Sequence, residues 1–253
     1  MNLPFSAIAF APSYRRVADA IAARIVDRSL QAGDALPTET TLALQLGVNR
    51  STLREALRDL ESRGLLERRR GSKRLVVTHP ATQAVAERIS NALTLQQVTI
   101  AELWETLMLL EPPAADVAAR RCHKSDIELL QTAAERFVAE GADTAAAVAA
   151  VAAFFRALIA ATGNRALALA HEPALQLLQL SLQLMIDRVP QARARIRDAH
   201  RKLIGALSNA DAAAASSWME KHIRDFRRGF ELAGINLGSL ASGPLSTAPV
   251  ASG

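Results

Sequence analysis

Three arginines, Arg50, Arg54 and Arg58, recur four residues apart, the spacing that stacks side chains along one side of an α-helix. A guanidinium group is planar and pairs in bidentate fashion with guanine or with phosphate. Ser51 and Thr52 stand in the same first turn, where hydroxyls and unpaired backbone N–H groups suit a phosphate oxygen. The other side of the stretch carries Leu53, Ala56, Leu57 and Leu60, a stripe that would seat the helix on a core. Most arginine-bearing helix faces are only solvated surface. Here a short helix and a glycine turn come before the arginines and a basic segment follows them, the order expected of a helix that reads DNA.

Histidine supplies the second set of reactive side chains. His200 and His222 lie in helical stretches, whereas His79, His123 and His171 read as linker, surface or capping residues. Cys122 is the sole cysteine and directly precedes His123. Neighbours in sequence do not face each other on a helix, so the two form no nucleophile–base pair. The chain shows no nucleophile constellation, glycine-rich phosphate loop or paired-carboxylate motif, and an enzyme is not expected.

The elements that must position these groups follow from periodicity and punctuation. Val17, Ile21 and Ile25 mark a first helix that Gly33 and Pro37 bring to an end. Thr38 is an N-cap candidate for a short helix through Leu42 and Leu46, closed by Gly47. Asn49 caps the arginine helix, predicted over Arg50–Arg63, and Gly64 stops it. Leu65-Leu66, the basic run Arg68–Arg70, the turn Gly71-Ser72 and the β-prone Leu75-Val76-Val77 then predict a two-stranded hairpin. Three helices and a hairpin make a winged helix-turn-helix. Beyond Pro80 only helical patterns occur, interrupted near Val98, Lys124, Gly141, Gly163, Pro190 and Asn209.

The expected fold is therefore mainly α, a winged helix-turn-helix followed by an all-helical bundle of six or seven helices. The domain limits are a flexible N-terminus at 1–12, the winged unit at 13–78, a linker at 79–82, the helical unit at 83–235 and a disordered tail at 236–253. Charge divides the same way: residues 1–79 hold 13 Lys and Arg against 8 Asp and Glu, and the remainder holds 17 of each. A basic module that meets a polyanion, joined to a neutral module with another task, accounts for that asymmetry. No run reaches the roughly 18 unbroken apolar residues of a membrane span, and the first twelve residues lack a basic signal-peptide region. A cytoplasmic protein without a membrane partner is expected.

Residues Tyr14 to Val77 resemble the DNA-binding domain of the GntR family of bacterial regulators. The run carrying the likeness is Leu36-Pro37-Thr38-Glu39, then Leu46-Gly47-Val48-Asn49-Arg50-Ser51-Thr52-Leu53-Arg54-Glu55-Ala56-Leu57, then Leu60 and Gly64-Leu65. The resemblance implies base contacts from Arg50 and Arg54 and phosphate contacts from Ser51 and Thr52. It also implies a wing contact at Arg70, Gly71 and Ser72. Thr38, Arg58 and Lys73 complete the expected DNA-contacting set. The chain departs from the pattern at Thr40, where many members have Arg, and at the wing, where Ser72-Lys73 replaces a Gly-x-Gly turn.

The remainder resembles the helical effector domain called FCD, through Leu110-Glu111-Pro112, Phe154-Phe155-Arg156-Ala157-Leu158, Gly163-Asn164, His200, Met219 and His222. Many FCD domains hold a divalent metal with an Asp and a His four residues apart plus two further histidines. Aligned on Gly163-Asn164, the first pair falls on Val151 and Phe155, which cannot ligate, while His200 and His222 keep the other two positions. The Arg that commonly faces the acidic effector is Leu107. The expected pocket is thus Leu107, Val151, Phe155, Asn164, His200 and His222, with no bound metal and His200 and His222 the weak candidates for one. The implied partners are an operator in double-stranded DNA, a second copy of the chain, and a small organic effector such as an apolar or aromatic acid. The competing expectation is a degenerate helical domain that binds nothing and serves as a dimerisation scaffold.

Overall fold

The computed structural model describes residues 13–69, 74–78, 81–139 and 143–241. The chain divides into two compact units, one ending at Ala84 and the other beginning at Val85.

In the first unit, α1 (Ser13–Val26), α2 (Glu39–Leu46) and α3 (Arg50–Ser62) precede an antiparallel pair, β1 (Leu66–Arg68) and β2 (Leu75–Val77). Punctuation fixes the short elements. The Thr38 side chain accepts from the Thr41 N–H to start α2, and Gly47 takes φ +65° to end it, a conformation that costs glycine least. Asn49 Oδ1 accepts from the Thr52 N–H at 2.7 Å and starts α3, a cap of the kind that contributes about 1 kcal/mol. Residues 33–36 run along β2 as a further edge: Gly33 N–H donates to the Val77 carbonyl, Leu36 N–H to that of Leu75, and Val77 N–H to that of Asp34. Leu53, Ala56 and Leu60 are fully buried, packed with Ala18, Ile21, Leu36 and Val77.

The second unit is built from α4 (Thr82–Leu95), whose first three residues fall before the division, and from α5 (Ile100–Arg121), α6 (Lys124–Ala139), α7 (Thr144–Ala161), α8 (Arg165–Leu177), α9 (Gln179–Arg188), α10 (Ala192–Ser208) and α11 (Ala212–Leu232). These eight helices exceed the six or seven expected, because the stretch from Arg165 to Arg188 is two helices. The break at Leu178 keeps near-helical dihedrals, φ −88° and ψ −4°, and no glycine or proline announces it. α11 lies along α5, α6 packs on α7, and α10 bridges α6 and α11. α7 has the length and apolarity of a membrane span, yet Ala147, Val151, Phe154, Phe155 and Leu158 on it are all buried inside the bundle.

The expectation of a disordered tail from residue 236 is corrected over its first six residues. Ile100 and Ala101 N–H donate to the Ser239 and Leu237 carbonyls, and Ala241 N–H donates to that of Val98. Backbone donors in the first turn of a helix have no intrahelical acceptor, and this segment supplies acceptors to two of them. Its Leu237 and Ala241 also join the core.

Candidate functional site

The first site is the exposed side of α3. Arg50, Ser51, Arg54 and Arg58 are exposed and Thr52 partly so, while Thr38 is exposed at the start of α2. The stripe on the opposite side fixes the helix to the core, so the three guanidinium groups stand away from it. Arg54 is not simply free. Its Nε donates to Glu39 Oε2 at 2.7 Å, and that contact, joined by Arg50 and Arg68, holds the Glu39 carboxyl below the usual carboxylate range. The bond uses Nε, and the terminal nitrogens of Arg54 carry further N–H donors on a side chain that is 53% exposed. The Ser51 hydroxyl donates to Asn49 Oδ1 at 2.8 Å, so a phosphate oxygen would compete with Asn49 for its proton. Thr40 is exposed on α2. Arg70, Gly71, Ser72 and Lys73, the expected wing contacts, lie outside the described residues.

The second site is in the helical unit. Leu107, Val151 and Phe155 come together around a half-open cavity also lined by Trp104, Glu111 and Phe226. The cavity volume is about 30 Å³, enough for water and less than an organic ring requires. His222 instead lines a neighbouring cavity of about 40 Å³ beside Arg195 and Asp225. His200 is fully buried among the rings of Phe137, Phe154 and His222 and lines neither. Asn164 does not join the pocket: it is exposed and caps α8, its Oδ1 accepting from the Ala166 and Leu167 N–H groups.

Aromatic rings surround the two imidazoles. Phe154 stacks on His200 with centroids 3.7 Å apart, and Phe155 lies parallel to His222 at 5.6 Å. The imidazoles meet edge to face at 5.4 Å. Burial drives the His222 pKa down to about 3 and pushes that of His200 well below its ordinary value, with His222 adding to the effect. Both rings are neutral at pH 7. His200 Nδ1 and Nε2 and His222 Nε2 have no protein partner.

These residues do not fit the metal that FCD domains commonly hold. Val151 and Phe155 offer no donor atom, and Phe155 sets a ring against His222. Among the described residues no cluster of three His, Cys, Asp or Glu side chains is placed to hold one ion. Two neutral imidazoles alone are short of the three or four protein ligands usual for zinc.

A buried pair was missed in the sequence. Glu111, from the Leu-Glu-Pro motif, has Oε1 2.7 Å from His171 Nε2, and both side chains are 1 % exposed. Burial raises the Glu111 pKa against the opposing effect of His171. His171, expected at the surface or as a cap, is thus a core residue. The signal was present: Leu103, Leu107, Glu111 and Ala115 share one helix face at intervals of four, so a carboxyl there had to be buried with a partner. Next to the pair, Arg156 makes a bidentate contact with the buried Glu172, from Nε at 2.8 Å and from Nη2 at 2.6 Å, and so ties α7 to α8.

Comparison with known proteins agrees with both units. A model of bacterial regulatory proteins of the gntR family matches residues 13–76, and an FCD domain model matches residues 102–225. An uncharacterized HTH-type transcriptional regulator of Mycobacterium tuberculosis is 40% identical over 163 residues, which cover 62% of this chain and 64% of that protein. An Escherichia coli protein named for regulation of the L-lactate dehydrogenase operon is 30% identical over 213 residues, 82% of each chain. The solved structure of a Streptococcus agalactiae GntR protein superposes with a TM-score of 0.61 at 27% identity, covering 85% of this chain and 99% of that one. Those relatives are regulators of transcription, and the two matched domains occur here in the order DNA-binding then effector-binding. The chain belongs to the GntR family of bacterial regulatory proteins, among the members whose second domain is FCD.

Proposed function

We propose that this regulator binds a palindromic operator as a homodimer, acts as a repressor in the cytoplasm, and changes its operator affinity when a small apolar molecule enters the helical unit, without a resident metal. The observation that carries the reading is the cavity between α5, α7, α8, α9 and α11. Leu107, Val151 and Phe155 line it, and by the resemblance to FCD domains these stand at three positions that are usually polar. A ligand larger than water takes that space by moving Phe155 or Phe226, side chains of α7 and α11 packed on each other with centroids 6.0 Å apart. Such a ligand has different affinities for the two side-chain arrangements, the requirement for shifting an equilibrium between forms. On the DNA side, Arg50 and Arg54 would meet base edges and Ser51, Thr52, Arg58 and Thr38 the backbone, with Arg70 to Lys73 at the wing.

A second reading, a helical unit that only pairs two copies, is favoured by one observation: Phe155 packs against His222 and leaves little free volume. Selection from random duplexes, followed by sedimentation of the complex, tests the DNA reading. Two chains on an inverted repeat are expected, and one chain on an asymmetric site overturns it. Competition with RNA polymerase on that operator decides repression. A panel of apolar compounds that leaves operator affinity unchanged would favour the pairing-only reading.

A further inference from the structure

Glu39 is a carboxylate set among the arginines of the winged unit. It stands in the first turn of α2, 31% exposed, and its Oε2 meets Arg54 Nε of α3 at 2.7 Å. Arg54 is the main cause of its lowered pKa, and Arg50 and Arg68 add to the effect. Arg68 has an acid of its own, Glu61, at 3.1 Å. A negative charge beside this helix repels a polyanion, so Glu39 costs attraction to every duplex. A first-turn carboxylate does favour the start of a helix, but that effect needs no arginine on the neighbouring helix.

A guanidinium group is flat and rigid, with Nε and both terminal nitrogens in one plane. A bond at Nε therefore limits the tilt and rotation of the whole plane, and the terminal nitrogens keep their N–H donors. Arg54 is 53% exposed, and an exposed arginine without a partner samples many rotamers that binding must then freeze. Guanine offers two neutral acceptors in the plane of the base, whereas a phosphate brings a negative charge toward Glu39. Pairing with Glu39 thus favours a base edge over the backbone as the partner of Arg54.

We infer that Glu39 is a positioning residue for DNA reading: from α2 it holds Arg54 Nε, orders the guanidinium that meets a base, and lowers attraction to non-cognate DNA. The inference rests on Arg54 meeting a base edge, as proposed above.

Anisotropy of the full-length protein, on a selected operator and on duplexes in which each base pair is replaced in turn, tests both parts. Arg54→Ala identifies the base pair that Arg54 reads. Glu39→Ala is expected to lose about tenfold in preference at that same pair, within the range a bidentate contact supplies, and to keep its preference elsewhere. It should also bind random duplexes more tightly, with a salt slope steeper by about one. Glu39→Gln, which removes the charge and keeps an acceptor within reach of Nε, should recover most of the preference while retaining the tighter non-specific binding. Adding Glu39→Ala to Arg54→Ala should cost nothing further at that pair. If Glu39→Ala does not fold, Glu39→Asp takes its place; it is one methylene shorter, still an acid at the start of α2, and the same loss at that pair is expected. Full preference in Glu39→Ala overturns the inference. So does a loss spread evenly over all pairs, which would mean that Glu39 only fastens α2 to α3, or a Glu39→Gln variant no better than Glu39→Ala. Arg54→Ala with no pair relaxed defeats the reading of Arg54 as a base contact and the inference with it. A pair relaxed by Arg54→Ala and untouched by Glu39→Ala defeats the inference alone.

Discussion

Replacing His222 by Leu should remove a stability loss that begins below neutral pH. The imidazole is 2 % exposed and titrates at about 3 in the folded chain against 6.5 for the free side chain. Between those values the unfolded chain binds more protons than the folded one, so stability falls as pH falls. Linkage with those two values gives a loss of about 2 kcal/mol at pH 5 and about 0.2 kcal/mol at pH 7. His200 adds a loss of the same sign, and Glu111, with its raised pKa, opposes it above its ordinary value. Glu111 contributes alike in variant and parent, and the burial that dominates the His200 shift is kept, with only the smaller effect of His222 on His200 lost, so the informative quantity is the difference between the two proteins. Trp104 and Trp218, the only tryptophans, lie in the helical unit, and their emission during urea unfolding reports that unit alone. The stability of His222→Leu relative to the parent should rise by about 2 kcal/mol from pH 7 to pH 5. A constant difference across that range would mean His222 protonates freely in the folded protein, and the reasoning from dry aromatic packing would fail.

Arg54→Ala should weaken a selected operator by about 1–3 kcal/mol and relax preference at one base pair; unchanged affinity and selectivity in a binding titration would remove α3 from the interface. Lys73→Ala should weaken all duplexes alike and reduce the salt slope by about one, which anisotropy at several salt concentrations measures. Arg156→Met leaves the buried Glu172 carboxylate without its bidentate partner. Because Arg156 is 45% exposed, the cost in urea unfolding should be about 1–3 kcal/mol, below that of a fully buried pair. Gly229→Ala drives a methyl into the Met185 thioether, and overpacking there should cost about 1–3 kcal/mol in the same assay.

Local signals carried much of this fold. Asn49, Gly47 and Gly64 bounded α3 within one residue, because caps and stops act over four or five positions. The apolar stripe of α3 showed which side the arginines occupy. The resemblance to FCD domains, registered on Gly163-Asn164, grouped Leu107, Val151 and Phe155, and the structure brings those three residues to one cavity. What escaped was long-range. Glu111 and His171 meet across sixty residues, and no local pattern pairs a carboxyl on α5 with an imidazole on α8. Arg54 and Glu39 are fifteen residues apart on different helices. The stretch from Asn236 looked like tail because it is made largely of Gly, Ser, Pro and Ala and carries no charge. Residues 236–241 are held by backbone carbonyls that serve the start of α5, a role that composition does not express. Asn164 misled for the opposite reason: its family signature was read as a pocket residue, and its side chain is a helix cap.

The metal-free, ligand-responsive reading is tested most directly by operator affinity of metal-stripped protein, measured by anisotropy with and without each of a panel of small apolar compounds, in EDTA and again with zinc, nickel or manganese. A shift with ligand that EDTA does not alter and that the metals do not reproduce is expected of that reading. A shift that requires metal, is reversed by EDTA and disappears in His200→Ala and His222→Ala would contradict it.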